Sequence, residues 1–315
     1  MGEALSATAA ATRAFLERKY GAPVDGVVPI GVGAWSRAFA FSVGDARRVI
    51  RWSDVADNFA RDAFAVRFRG PGLPVPPILE IGRVGDQFFA IAPFVAGAYL
   101  ESLAGEALVA TVPAVLELFR ALRSADLAGT TGFGFFDGSG HGSYPSWRAF
   151  LLNDKNEAPG SVINGWRARL EGSALGMGAY EALRARFEPL VARCPEVRGL
   201  VHADLLHFNV LCQSGRISAV LDWGSAFYGD PLYDIVWFRY YQPWYPEFAR
   251  ITLAERLLAG FRADPRANTA DIDARVRCYE LHIGLDSIAY NAFKQDWPHA
   301  EEAAAYTLAL EARGR

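Results

Sequence analysis

The sequence predicts an α+β chain in two lobes: a small antiparallel-sheet lobe over residues 1–95 and a mainly helical lobe over residues 96–315. Three observations carry that expectation. Short apolar runs alternate with Gly-containing turns up to Ala92, a 3.6-residue period dominates from Gly97 onward, and 315 residues suit two domains of roughly 150 residues each. A single undivided α+β domain is the competing arrangement.

The first element is a helix from Ala4 to Tyr20, with Leu5, Ala9, Phe15 and Leu16 on its apolar side. Strands follow at Val27–Ile30, Ala38–Val43 and Arg48–Trp52, separated by Gly31-Val32-Gly33-Ala34 and by the turn Gly44-Asp45. A helix near Asp57–Phe68 comes next. Pro71-Gly72-Leu73-Pro74-Val75-Pro76-Pro77 lacks the N–H donors and free φ angles that a helix needs. Ile78–Val84 and Gln87–Ala92, flanking Gly85-Asp86, complete the sheet, and Pro93 to Gly97 is a short connection. Beyond it, Leu108, Val112, Val115, Leu116, Phe119 and Leu122 form one helical stripe, and Tyr180, Leu183, Phe187, Leu190 and Val191 another. The exception is Leu200–Leu221, where apolar runs flank Gln213-Ser214-Gly215-Arg216 and predict a hairpin.

Composition narrows the function. With 51% hydrophobic and 21% charged residues the chain is not disordered, and a net charge of −3 argues against a general nucleic-acid binder. Basic residues are 29 Arg and only 3 Lys (Lys19, Lys155, Lys294), with no Gly-Lys-Ser/Thr, so a Walker A loop is excluded. Cys194, Cys212 and Cys278 are scattered and form no C-x-x-C pair, so neither a disulfide framework nor a structural zinc site is expected. No apolar signal core and no stretch of about 20 apolar residues occurs, so the expected setting is the reducing cytoplasm, without membrane association.

The strongest motif is His202-Ala203-Asp204-Leu205-Leu206-His207-Phe208-Asn209, followed by Leu221-Asp222-Trp223. It fits the kinase pattern H-x-D-L-x-x-x-N and, after a hairpin, a second metal-side Asp. If Val210–Cys212 pairs with Ile217–Leu221, Asp222 returns beside Asn209, and one carboxylate and one amide oxygen suit Mg²⁺. Asp204 is left to orient a hydroxyl and accept its proton, while His202 suits loop packing.

Gly31-Val32-Gly33-Ala34-Trp35-Ser36-Arg37 is a candidate phosphate-approach loop: Gly31 and Gly33 allow close backbone approach, and Ser36 stands where a third glycine is common. No Lys lies between Lys19 and Lys155, so Arg51 is the candidate phosphate-contacting strand cation, with Asp62 as its partner. In Tyr228-Gly229-Asp230-Pro231-Leu232-Tyr233-Asp234, Asp230 reads as a helix cap and Asp234 as an acceptor for catalytic-loop N–H groups. Only seven residues separate Asp222 from Asp230, which favours a small-molecule acceptor over a polypeptide.

These residues resemble the aminoglycoside phosphotransferase family of antibiotic kinases, which has a bilobal protein-kinase-like fold. Ser36-Arg37-Ala38-Phe39, Thr131-Gly132-Phe133-Gly134, Trp147-Arg148, Cys194-Pro195-Glu196-Val197-Arg198, Pro243-Trp244 and Ile283-Gly284-Leu285-Asp286 resemble its hygromycin B-modifying branch, in order over most of the chain. The resemblance implies ATP- and Mg²⁺-dependent transfer of the γ-phosphoryl group to a hydroxyl of an aminocyclitol antibiotic. Asp204 would be the base, Asn209 and Asp222 the metal ligands, and Ala92, Pro93 and Phe94 the adenine hinge. A monomer is expected. A polycationic acceptor needs carboxylates and flat apolar surfaces; Asp204, Glu280, Asp286 and Asp296 with Trp237, Tyr241 and Trp244 are the candidates. Leu205-Leu206-His207-Phe208 departs from the branch by being bulkier and more apolar. Two other functions compete: a kinase of the same fold acting on a macrolide, choline or sugar, and a ligand-sequestering pseudokinase, suggested by the missing strand Lys.

Overall fold

The computed structural model describes residues 8–32, 36–153 and 163–313. Helix α1 (Ala9–Tyr20) starts where the Thr8 hydroxyl accepts the Ala11 N–H and stops at Gly21, whose φ of 62° ends the helical path. The first residues of the expected helix lie outside the described set.

Five strands follow, β1 (Asp25–Val32), β2 (Ser36–Val43), β3 (Ala46–Ser53), β4 (Glu80–Val84) and β5 (Gln87–Pro93). They form an antiparallel sheet of order β1-β2-β3-β5-β4. Alternation gives this sheet two chemically different faces. Phe39, Phe41, Ile50, Trp52, Phe89 and Ile91 pack on one face with Leu16, Val24 and Val27. The opposite face carries cross-strand rows that apart from Arg51 hold smaller residues, Val28–Ala40–Val49–Ala92 and Gly31–Ala38–Arg51–Ala90. Helix α2 (Ala56–Ala65) and a 3₁₀ turn at Val66–Phe68 fill the span expected to be one helix.

The chain continues through β6 (Ala98–Tyr99), a 3₁₀ turn at Leu100–Ser102, α3 (Gly105–Arg123), β7 (Phe133–Phe136), β8 (Gly142–Tyr144), α4 (Trp147–Leu152), α5 (Trp166–Glu171), α6 (Gly178–Val191) and β9 (Gly199–Val201). Next come β10 (Val210–Gln213), β11 (Arg216–Val220), β12 (Phe227–Gly229), α7 (Leu232–Tyr241), α8 (Pro246–Arg250), α9 (Leu253–Ala263), α10 (Ile272–Lys294) and α11 (Trp297–Arg313). The predicted hairpin is confined to β10 and β11. Leu200 and Val201 instead pair antiparallel with Tyr228 and Phe227, because the backbone turns away at Ala203, φ 60°.

The chain forms two compact units. The first comprises residues through Thr131, Phe135–His141 and Asp204–Ala226; the second comprises Gly132–Gly134, Gly142–Ala203 and Phe227 onward. This partition differs from one cut near residue 95. Within the first unit β6 pairs with β10 and α3 packs on β11, which joins the β10–β11 hairpin to the segment after the sheet.

In the second unit, α10 packs against α5, α6, α7 and α11. Trp147 is fully buried there, stacked with Phe150 and Phe227, and donates from Nε1 to the Tyr279 hydroxyl at 3.0 Å. Asp230 Oδ1 accepts the Leu232 N–H, while Oδ2 receives Tyr279 and the buried Arg275. The three cysteines are free and buried. Among the described residues no helix is long and apolar enough to cross a membrane.

Candidate active site

Two local devices shape the loop that carries Asp204. In the second unit, the Asp234 carboxylate accepts the backbone N–H groups of His202 (2.9 Å) and Ala203 (2.7 Å), the interaction expected of it. In the first unit, β10 and β11 turn back through Ser214 and Gly215, both at positive φ as a tight hairpin turn requires. The ladder ends with the Leu221 N–H donating to the Asn209 carbonyl at 2.8 Å. Asp222 is the next residue, so the hairpin brings it to Asn209.

Asp204 is held on both oxygens. His207 Nδ1 meets Oδ1 at 2.7 Å, and Asn209 Nδ2 donates to Oδ2 at 3.0 Å and to the Asp204 carbonyl at 2.8 Å. Burial pushes the Asp204 carboxyl above its ordinary value, and the nearby Asp222 charge adds to that shift; His207 and Asn209 oppose it. For His207, desolvation is outweighed by Asp204 and Glu101, which hold the imidazole above its usual value.

Asp222 begins a turn clamped by consecutive residues of α2. Asp62 Oδ1 accepts the Trp223 N–H at 2.7 Å, and Arg61 Nη1 donates to the Gly224 carbonyl at 2.6 Å. The other Asp62 oxygen pairs with Arg51. Burial opposes charge on Arg51, but Asp62 and Asp222 overcome it and raise its pKa. Burial also lifts the Asp62 carboxyl, with Arg51 opposing; the contact is an ionic pair. The strand cation and the Asp222 turn are thus tied to one carboxylate.

The donor set around Asp222 fits a hard divalent cation. The Asp222 charge raises the pKa of both Asp204 and Asp62, so negative charge converges here, and the Asn209 amide, turned with Nδ2 toward Asp204, keeps its oxygen as a donor. Among the described residues no group of three His, Cys, Asp or Glu side chains could hold a metal. Two protein oxygen donors suit Mg²⁺, which retains water and takes further oxygens from phosphates.

The sheet face around Arg51 adds a surface that the sequence reading missed. Ala38, Ala40, Ala90 and Ala92 lie beside Val28 and Val49, so small side chains flank Arg51 on this face. The signal was present as alternation, with Phe39, Phe41, Ile50, Trp52, Phe89 and Ile91 falling on the other face. Gly31 pairs with Ala38 and Ser36 opens β2, whereas Gly33 lies outside the described residues. At the expected hinge, the Phe94 N–H is donated to the Arg47 carbonyl at 3.1 Å, and its ring lies under the Arg47 guanidinium.

The expected acceptor residues Trp237, Tyr241, Trp244, Glu280 and Asp286 all belong to the second unit. Trp237 and Tyr241 are in ring contact, and Trp244 packs on Tyr306 while donating to Glu302. Asp286 adds charge near Tyr233. Glu280 is bound by Arg239 through Nε at 2.7 Å. Sequence reasoning also missed Glu101, whose Oε1 accepts the Phe208 N–H at 2.7 Å.

Residues 28–268 match the model of the phosphotransferase enzyme family. Over 286 residues the chain is 33% identical to hygromycin-B 4-O-kinase of Escherichia coli, covering 89% of this chain and 79% of that protein. The crystal structure of aminoglycoside phosphotransferase APH(4)-Ia is similar over 98% of this chain and 99% of its own, with a TM-score of 0.84 and 30% identity. A thermostable mutant of APH(4)-Ia, in a ternary complex with AMP-PNP and hygromycin B, is similar over 96% of this chain and 98% of its own, with a TM-score of 0.82 and 31% identity.

Proposed function

Because this chain belongs to the phosphotransferase enzyme family, we propose that it transfers the γ-phosphoryl group of ATP to a hydroxyl of a hygromycin B-type aminoglycoside and so confers resistance. The convergence of Asp204, Asn209 and Asp222 on one hairpin-closed loop carries this reading. The similarity to a hygromycin-B 4-O-kinase supports the substrate, and the AMP-PNP complex of a similar structure supports the nucleotide.

Asp204 orients the acceptor hydroxyl and takes its proton; each carboxylate oxygen keeps acceptor capacity beyond its bond to His207 or Asn209. Asp222 and the Asn209 oxygen hold Mg²⁺, which when bound neutralises charge on the phosphates. Arg51, braced by Asp62, contacts phosphate oxygens, and Gly31, Gly33 and Ser36 belong to the loop that positions them. The base of the nucleotide lies on the alanine-lined face near Ala92. Trp237, Tyr241, Trp244 and Asp286 serve the acceptor. The enzyme works as a monomer in the cytoplasm, where ATP and Mg²⁺ are at hand.

The test is the purified chain with ATP, Mg²⁺ and hygromycin B, read by mass spectrometry for a phosphorylated product. Raised hygromycin B tolerance of a susceptible host, lost with Asp204→Asn, would support it. Tight hygromycin B binding without product would favour sequestration, and product only with choline, a macrolide or a sugar would move the substrate.

A further inference from the structure

Phe208 is the most exposed large apolar side chain among the described residues, at 58%. Its φ is 68°, directly after His207 at 62°, in a region that bulky side chains rarely occupy. The surroundings impose this conformation. Glu101 Oε1 fixes the Phe208 N–H at 2.7 Å, Asn209 Nδ2 fixes the loop carbonyl at Asp204, and the Tyr99 ring meets the Phe208 ring edge to face at 5.3 Å. A backbone held against its local preference, with the result that a phenyl ring stands in solvent, points to a use outside the folding of the chain.

The neighbouring charges identify that use. Phe208 lies four residues from Asp204 on the same loop, and its amide sits on the Glu101 carboxylate. Those carboxylates attract a cation, and the expected acceptor is the cationic ligand of this reaction. We propose that Phe208, backed by Tyr99, is the acceptor-selecting platform of this kinase: its ring receives the apolar face of an amino-bearing cyclitol or pyranose whose hydroxyl is presented to Asp204. This rests on the kinase reading above. It assigns specificity to a residue of the loop segment that departs from the hygromycin B-modifying branch.

The test compares the purified full chain with Phe208→Asn and Phe208→Tyr, measuring KM for hygromycin B and for ATP together with melting temperature. Asn tolerates positive φ, so it removes the ring while keeping the loop path. Phe208→Asn should raise the hygromycin B KM about 5- to 30-fold with a much smaller change in the ATP KM, and Phe208→Tyr should restore most of the loss. An unchanged hygromycin B KM in Phe208→Asn, an equal rise in both KM values, or a Tyr variant as impaired as Asn overturns the platform while the kinase assignment stands. If the wild type phosphorylates no aminoglycoside, the substrate assignment fails on its own. The same variants are then compared on whichever ring-bearing alcohol most stimulates ATP turnover; unchanged KM there, or no such alcohol, overturns the platform.

Discussion

Asp62 accepts the backbone N–H of Trp223 at 2.7 Å with one carboxylate oxygen and meets the Arg51 guanidinium with the other. Asp62→Ala removes both partners and leaves the Arg51 charge in a site where its side chain is only 21% exposed. Breaking a buried pair this way costs about 3–5 kcal/mol, and urea unfolding should register a loss of that order. Asp62→Asn keeps an acceptor for Trp223 and should lose less.

Arg51→Lys tests the strand cation. An ammonium cannot engage carboxylate and phosphate oxygens with the same planar fork, so the ATP KM should rise roughly 10-fold while the melting transition stays cooperative. Unchanged steady-state kinetics would confine Arg51 to bracing α2.

Asp204→Asn keeps the volume and a hydrogen-bonding group but removes the proton acceptor. Turnover should fall by roughly 10²- to 10⁴-fold with ATP affinity, measured calorimetrically, nearly intact. Wild-type turnover in that variant would assign the base elsewhere.

His207 gives a pH signature. Its folded-state pKa is raised above the reference 6.5 by Asp204 and Glu101 against the effect of burial. The protonated form therefore favours folding: the stabilisation is complete below 6.5 and disappears as pH rises through the higher folded value. The melting temperature of the wild type relative to His207→Gln should be more favourable near about pH 6 than near about pH 9. A difference independent of pH would mean that His207 acts by packing alone.

The hairpin was legible because its turn chemistry is local: Ser214-Gly215 supplies the two positive φ angles between apolar runs, and Asp222 follows from counting along the ladder. The N-terminal sheet was legible from alternation, and the Asp234 cap from its place in the motif. Pairings set by tertiary context were not. β9 pairs with β12 across the β10–β11 hairpin, Glu101 reaches Phe208 over 107 residues, and Arg239 takes Glu280 from another helix. Nothing in the spacing of these residues fixes which side chains meet.

The separation in sequence of the contacts around Asp222 also sets how fast each part of the site can come together. Asn209 and Asp222 are gathered by a hairpin, an event of microseconds, whereas the Asp62–Trp223 bond closes a separation of 161 residues and must await long-range organisation. Damage to the Ser214-Gly215 turn should therefore appear chiefly as slower refolding, and damage at Asp62 as faster unfolding. Resistance to unfolding under heat should therefore respond more to Asp62 than to the hairpin turn.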